Sequence, residues 1–227
     1  SLVGYDIDVD RNGQRRMFTD EERLAINAFD WEREFPFRFD VIAGNPPYVR
    51  QETLGGLKEY LQEHYDCYHG VADLYVYFIE RAIKLLAPGG YFSYIVANKW
   101  MRANYGEPLR RWLKAKRVEE IIDFGDLRVF RQATTYPCII RVRNLPMPAA
   151  TFRAVKMDSL DFTVLDDYVK DRFHDISAGG LDDGGWSLAD EASQKILDKI
   201  KAVGVPLGEY VKGKIYYGIK TGYNEAF

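Results

Sequence analysis

The stretch Phe39-Asp-Val-Ile-Ala-Gly-Asn-Pro-Pro-Tyr48 decides how the rest of the chain is read. Phe39 to Ala43 is an apolar run closed by Gly44, as expected of a buried parallel strand that opens into a loop at its carboxyl end. Asn45 to Tyr48 is that loop. Working outward, Thr19-Asp-Glu-Glu22 reads as a capping box before a short helix through Ala28. Downstream, Leu74, Phe78, Ile79, Ala82, Leu85 and Leu86 recur at helical spacing over Asp73–Ala87, with Pro88-Gly-Gly90 as the stop. Tyr91–Ala97 reads as the next buried strand, Glu107–Lys116 as a helix and Val118–Phe124 as another strand. Cys138–Arg143 is expected to pair antiparallel at the edge of the sheet. This alternation predicts an α/β fold.

After Asn144 the texture changes. Leu145-Pro-Met-Pro148 looks like a boundary, the Gly- and Asp-rich run Ser177–Trp186 like a surface loop, and Ser193–Val203 like a helix. The expected division is therefore 1–144 and 145–227. With 227 residues, 47% of them hydrophobic, the chain is long enough to bury a sizeable core, which excludes disorder. Thirty-one Lys and Arg against 34 Asp and Glu give a net charge of -3, so any nucleic-acid contact must come from a local patch. The two cysteines, Cys67 and Cys138, have neither disulfide-framework nor zinc-ligand spacing, and no apolar run reaches the ~18 residues of a spanning helix. A cytoplasmic protein without membrane attachment is expected.

The loop itself carries chemistry. Two successive prolines fix its direction, so the Asn45 amide and the Pro46 carbonyl offer two aimed oxygen acceptors at little entropic cost. A nucleobase amine is a poor nucleophile because its lone pair is delocalised into the ring. Holding both of its N–H bonds on two acceptors frees that pair for attack. Tyr48 supplies a flat face for the base, worth roughly 1–3 kcal/mol by analogy with single-strand binders. The tetrapeptide alone is equally compatible with a plain tight turn.

Beyond the tetrapeptide, FDVIAGNPPY closely resembles the catalytic motif of amino-group DNA methyltransferases that modify adenine at N6 with S-adenosylmethionine. Phe29-Asp-Trp-Glu-Arg-Glu-Phe-Pro36 resembles the lead-in of large bacterial restriction-modification methyltransferases. Asp73-Leu-Tyr-Val-Tyr-Phe78 with Leu85-Leu-Ala-Pro-Gly-Gly90 is similar to the family's next helix and turn, and Phe92–Trp100 to its next strand and loop. Val129-Phe130 followed by Ala133-Thr-Thr-Tyr136 resembles the hairpin whose aromatic packs on a flipped adenine. Tyr217-Gly-Ile-Lys-Thr-Gly222 looks like the opening of the DNA-specificity domain of type IIG enzymes.

The resemblance implies a partial Rossmann-like methyltransferase sheet with an antiparallel edge hairpin over 1–144. Over 145–227 it implies a connector and the beginning of a target-recognition domain. It assigns the catalytic loop to Asn45, Pro46, Pro47 and Tyr48, and stacking on the base to Phe130. It implies double-stranded DNA as partner, with the base flipped out of the duplex. The family's glycine-rich cofactor loop is absent between Ser1 and Asn45, and Gly4-Tyr-Asp6 reads either as a remnant of the acidic strand or as a chance strand end. The S-adenosylmethionine pocket is thus expected to be incomplete. The chain is expected to be inactive alone, and to belong to a longer polypeptide extending upstream and downstream.

Several residues keep two readings. Asp73 is either a helix N-cap or part of the cofactor pocket. Lys212, Lys214 and Lys220 beside Tyr223 are either a DNA contact or a solvated edge. Arg110, Arg111, Lys114, Lys116 and Arg117 suit the C-terminal end of a helix better than phosphates. His64, Cys67 and His69 read as packing and surface residues before metal ligands, and no metal is expected. A protein glutamine methyltransferase and a non-catalytic DNA-recognition module are the competing functions.

Overall fold

The computed structural model describes residues 35–55, 57–130 and 135–214. The capping box at Thr19–Glu22, the helix through Ala28, and Gly4-Tyr-Asp6 lie outside them. Two compact units are present, the first ending at Leu188 and the second beginning at Ala189.

The first unit is built on a sheet of six strands: β1 (Phe39–Gly44), β2 (Leu86–Ala97), β3 (Arg117–Asp123), β4 (Pro137–Arg143), β5 (Thr151–Lys156) and β6 (His174–Ser177). Their spatial order is β1-β2-β4-β3-β5-β6. β1 pairs parallel with β2, and β3 parallel with β5, while β4 runs antiparallel to both of its neighbours. Four strands therefore point the same way and end on one rim. Helices α1 (Leu57–His64) and α2 (Tyr75–Leu85) connect β1 to β2, and α3 (Glu107–Lys114) connects β2 to β3. Crossovers of this kind are what successive strands of the same direction require, whether neighbours, as β1 and β2 are, or separated by another strand, as β2 and β3 are.

The apolar stripe read over Asp73–Ala87 does face the core. Tyr75, Val76, Ile79 and Ile83 of α2 are buried with Phe92 and Val96 of β2 and Ile140 and Val142 of β4. Leu109 and Leu113 of α3 join the same cluster. On the opposite face a smaller cluster joins Ile122, Phe124, Val155 and Met157 to Val169 of α4 (Leu165–Lys170). β1 is parallel as expected but not buried: it is the end strand of the described sheet, with a neighbour on one side only, and none of its residues is buried, Val41 and its partner Tyr91 of β2 staying exposed.

Three further details differ from the sequence reading. Cys138–Arg143 is antiparallel as expected, but it lies inside the sheet, because β5 and β6 carry the sheet on past β3. Leu145–Pro148 is accordingly a loop within one sheet. Pro88-Gly-Gly90 does not stop a helix; α2 ends at Leu85 and β2 starts at once. Asn144 fastens this joint, its side chain donating to the carbonyls of Leu86 and Ala87 at 3.0 Å each, and Gly89 adopts a φ of 81° that favours glycine. Finally, the run Ser177–Trp186 is only partly a surface loop. Trp186 is buried edge-on against Trp100 at 5.2 Å, and its backbone N–H donates to the Met101 carbonyl.

The same contact explains the basic helix. Arg110 is fully buried, and its guanidinium donates to the carbonyls of Trp100, Ala103 and Asp183 at 2.5, 2.8 and 2.7 Å. Lys114 donates to the Leu181 carbonyl and pairs with Asp183. These cations staple the 181–186 segment to α3, and Lys116 lies over the Trp112 ring, so they are spent on the fold. Gly106 sits at the foot of the arrangement, where a Cβ would lie 2.0 Å from the Trp100 carbonyl oxygen.

The second unit contains α5 (Glu191–Val203), with Asp190 accepting from the Ser193 N–H as N-cap, and α6 (Leu207–Tyr210). Among the described residues no helix is long and apolar enough to cross a membrane.

Gly106→Ala is expected to destabilise the fold by about 3 kcal/mol, because backbone rather than a movable side chain occupies the space. Urea unfolding measures this, and an unchanged midpoint would show that the joint yields freely.

Candidate active site

The loop after β1 sits where its strand predicts, at the carboxyl-end rim of the parallel strands, the usual ligand position in an open α/β sheet. Gly44 closes β1 opposite Tyr94, whose ring would crowd a Cβ at 3.2 Å. Asn45 is exposed and its side chain bonds to no other described residue, so the amide is unspent. Pro46 is buried and Pro47 exposed, so the diproline is half sunk into the rim.

Tyr48 is half-buried and its hydroxyl donates to the Ile95 carbonyl of β2 at 3.3 Å. Burial, reinforced by Cys138, pushes this phenol up to about 12, so it stays a neutral donor through the ordinary pH range. The unfolded chain ionises first, so this residue's share of stability is present below pH 10 and is lost as pH climbs from 10 to about 12. Phe130, in the connection between β3 and β4, meets Tyr48 edge-on with ring centroids 6.0 Å apart and planes at 64°. A base held between two parallel rings needs them roughly 7 Å apart, twice a van der Waals separation. Phe130 must therefore turn aside to admit one.

The loop is pinned from behind. The Leu74 N–H donates to the Val49 carbonyl at 3.0 Å, and Asp73 accepts from the Gln51 N–H at 3.2 Å. Asp73 is not the N-cap of α2; Leu74 holds that position without a side-chain bond. Asp73 instead ties the chain leaving the loop to the chain entering α2. Burial raises its carboxyl above the ordinary range, against the opposing pull of the Gln51 N–H and of Lys99.

The other candidates divide clearly. His64 stacks on Tyr60, Cys67 is buried with its N–H on Glu80, and His69 accepts from the Val71 N–H. Lys212 and Lys214 are exposed just after α6, Lys212 with a φ of 51°. Lys220, Tyr223 and the run Tyr217–Gly222 lie outside the described residues. Sequence reasoning missed the roles of Gln51 and Ile95, which act through backbone atoms and so leave no trace in residue type.

With this geometry in view, the model of the Eco57I restriction-modification methylase family matches residues 6–130, more than half of the chain. The chain belongs to that family. It is 31% identical over 216 residues to the type II restriction enzyme and methyltransferase RM.Eco57I of Escherichia coli, covering 91% of this chain and 21% of that protein. It is 34% identical over 125 residues to the type II methyltransferase M.XhoI of Xanthomonas vasicola, covering 54% of this chain and 23% of the relative. The chain thus spans about a fifth of the length of these relatives. In three dimensions it resembles the type IIG restriction endonuclease BpuSI, with a TM-score of 0.52 and 13% identity over 72% of this chain and 22% of that one. That likeness shows a shared α/β methyltransferase fold.

The anchoring of Tyr48 is testable. Tyr48→Phe removes one long hydrogen bond and is expected to cost under about 1 kcal/mol. Tyr48→Ala also empties a half-buried ring site and is expected to cost about 2–3 kcal/mol. Equal unfolding midpoints for the two variants would contradict the packing described.

Proposed function

We propose that this chain forms the catalytic-loop half of an adenine-N6 DNA methyltransferase, in a restriction-modification or phage-defence protein of the cytoplasm. The observation that carries the reading is the exposed, unspent Asn45 amide beside a buried proline and the Tyr48 ring on the ligand rim of a methyltransferase sheet.

Asn45 Oδ1 and the Pro46 carbonyl accept the two N–H bonds of the target amine, which draws nitrogen toward tetrahedral geometry and releases its lone pair. Tyr48, anchored at its hydroxyl, stacks on one face of the base, and Phe130 swings to meet the other. Pro47 keeps the loop from relaxing. The adenine must leave the duplex to reach the loop. Attack needs positioning more than a strong base, which suits a loop without His or Cys. One amine proton leaves to solvent once carbon has bonded.

When bound, S-adenosylmethionine would supply the methyl group, its methyl carbon–sulfur bond breaking as the neutral thioether leaves. The described residues fit it in part. The partly buried Asp73 carboxylate beside the loop suits a cationic ligand, while a glycine-rich loop does not occur between Ser1 and Asn45. Asp73 is therefore proposed to line the near side of an incomplete pocket, leaving this chain inactive alone. In the same reading 1–144 is the catalytic part, and 145–227 is connector and the beginning of the target-recognition domain. Its exposed Lys212 and Lys214, with Lys220 and Tyr223, are then directed to double-stranded DNA.

In the complete protein that carries this chain, Asn45→Ala is expected to lower methyl transfer by roughly 10²–10³-fold or more, as for loss of other preorganised hydrogen-bonding groups. Duplex affinity is expected to stay within a few-fold. Direct detection of N6-methyladenine measures the first and fluorescence anisotropy the second. Near-normal turnover, or methylation of a glutamine peptide in place of the duplex, would overturn the reading.

A further inference from the structure

Along the same rim, away from the Asn45 loop, the ends of β2, β3 and β5 enclose a cleft of about 540 Å³. Its walls carry Asn98, Lys99 and Arg102 from the turn after β2, Asp123 at the end of β3, Tyr136 before β4, and Lys156 at the end of β5. Nothing in the proposed amine clamp uses these groups.

The cleft is held in shape from beneath. Asp123, 6% exposed, accepts on one carboxylate oxygen from the Asn98 amide at 2.8 Å and the Gly125 N–H at 3.0 Å. The Asn98 N–H donates to the Tyr136 carbonyl at 2.7 Å, and the Met157 N–H to the Asp123 carbonyl at 2.8 Å. The ends of β2, β3, β4 and β5 are thereby tied together. Asp123 is thus largely committed inside the protein. Gly125 has a φ of 57° and lies beneath Lys156, whose Cε would be 3.4 Å from a Cβ there.

Above this floor Lys99, Arg102 and Lys156 are all exposed, and none of their side chains makes a hydrogen bond or ion pair with another described residue. Asp126 is the other acid on the wall, so three cations face two carboxylates in a chain whose net charge is -3. The cations span the distance from β2 to β5, roughly 14 Å or three strand spacings. One end of the row, Lys99, also acts on Asp73 behind the catalytic loop. Because β2 pairs with β1, whose end carries the Asn45 loop, Lys99 after β2 is the near end of the row and Lys156 after β5 the far end.

We propose that this cleft binds phosphodiester groups of the nucleic-acid strand whose base enters the Asn45 loop, with Lys99, Arg102 and Lys156 as the contacts. The inference rests on the DNA-methyltransferase reading and adds a backbone site on the catalytic unit, separate from Lys212 and Lys214. Loss of a single phosphate contact lowers affinity uniformly across sequences and reduces its salt dependence.

The test uses the complete protein and a duplex of mixed sequence, with affinity read by anisotropy over a range of salt concentrations. Lys99→Gln, Arg102→Gln and Lys156→Gln are each expected to reduce the slope of log K against log salt by about 0.9, and the triple variant by about 2.7. Lys170→Gln, an exposed cation of α4 outside the cleft, is expected to leave the slope unchanged. A triple variant with the parent's slope overturns the proposal. So does calorimetric binding of inorganic phosphate that the triple variant loses while its slope for DNA is unaltered, because the cleft would then serve a free anion. Since binding is read without methyl transfer, reduced slopes without any N6-methyladenine would count against the amine clamp and leave the phosphate site standing.

Discussion

The backward run of β4 between β2 and β3 is the constraint on which the rim depends. Because β3 and β4 are antiparallel neighbours, β3 ends and β4 begins at the same edge of the sheet. The connection between them must therefore cross that edge, and it brings Phe130 into contact with Tyr48. A parallel strand in that place would have sent the connection across a face of the sheet to the opposite edge. Asn98, Asp123 and Tyr136 also meet for this reason, each standing where one of the three strands ends or starts.

A second level of support lies in the interior. Burying an arginine is costly unless its donors are matched, and Arg110 meets three backbone carbonyls from two separate segments. That match locks the turn after β2 to the 181–186 segment and seats Trp186 against Trp100. The turn so fixed carries Lys99 and Arg102, so a buried cation holds exposed ones in place. The loop after β1 is held differently, by backbone bonds from Leu74 to Val49 and from Gln51 to Asp73.

Legibility in the sequence followed periodicity. The α2 stripe, the strands around Val41, Ile95 and Ile121, and the loop position of Asn45 were all readable, because each depends on local pattern and on the direction of one strand. Of the two readings of Asp73 the cap fails, because a side chain before a helix can accept either from the helix or from a neighbouring segment, and only the fold chooses. The basic run in α3 was legible as something other than a phosphate contact. Its partner, Asp183, was not, being remote in sequence and set in a Gly- and Asp-rich stretch that resembled solvent-facing loop.

The sequence alone determined that an apolar strand ends in a rigid Asn-Pro-Pro-Tyr loop and that helices and strands alternate around it. Strand order, the inward place of β4, the burial of Trp186 and the cleft over Asp123 were decided by tertiary structure. The physical reason is that hydrophobic period and proline stiffness act within a few residues of the chain. Strand neighbours, and the polar groups gathered where strands end, are fixed by burying both faces of a sheet whose parts are distant in sequence.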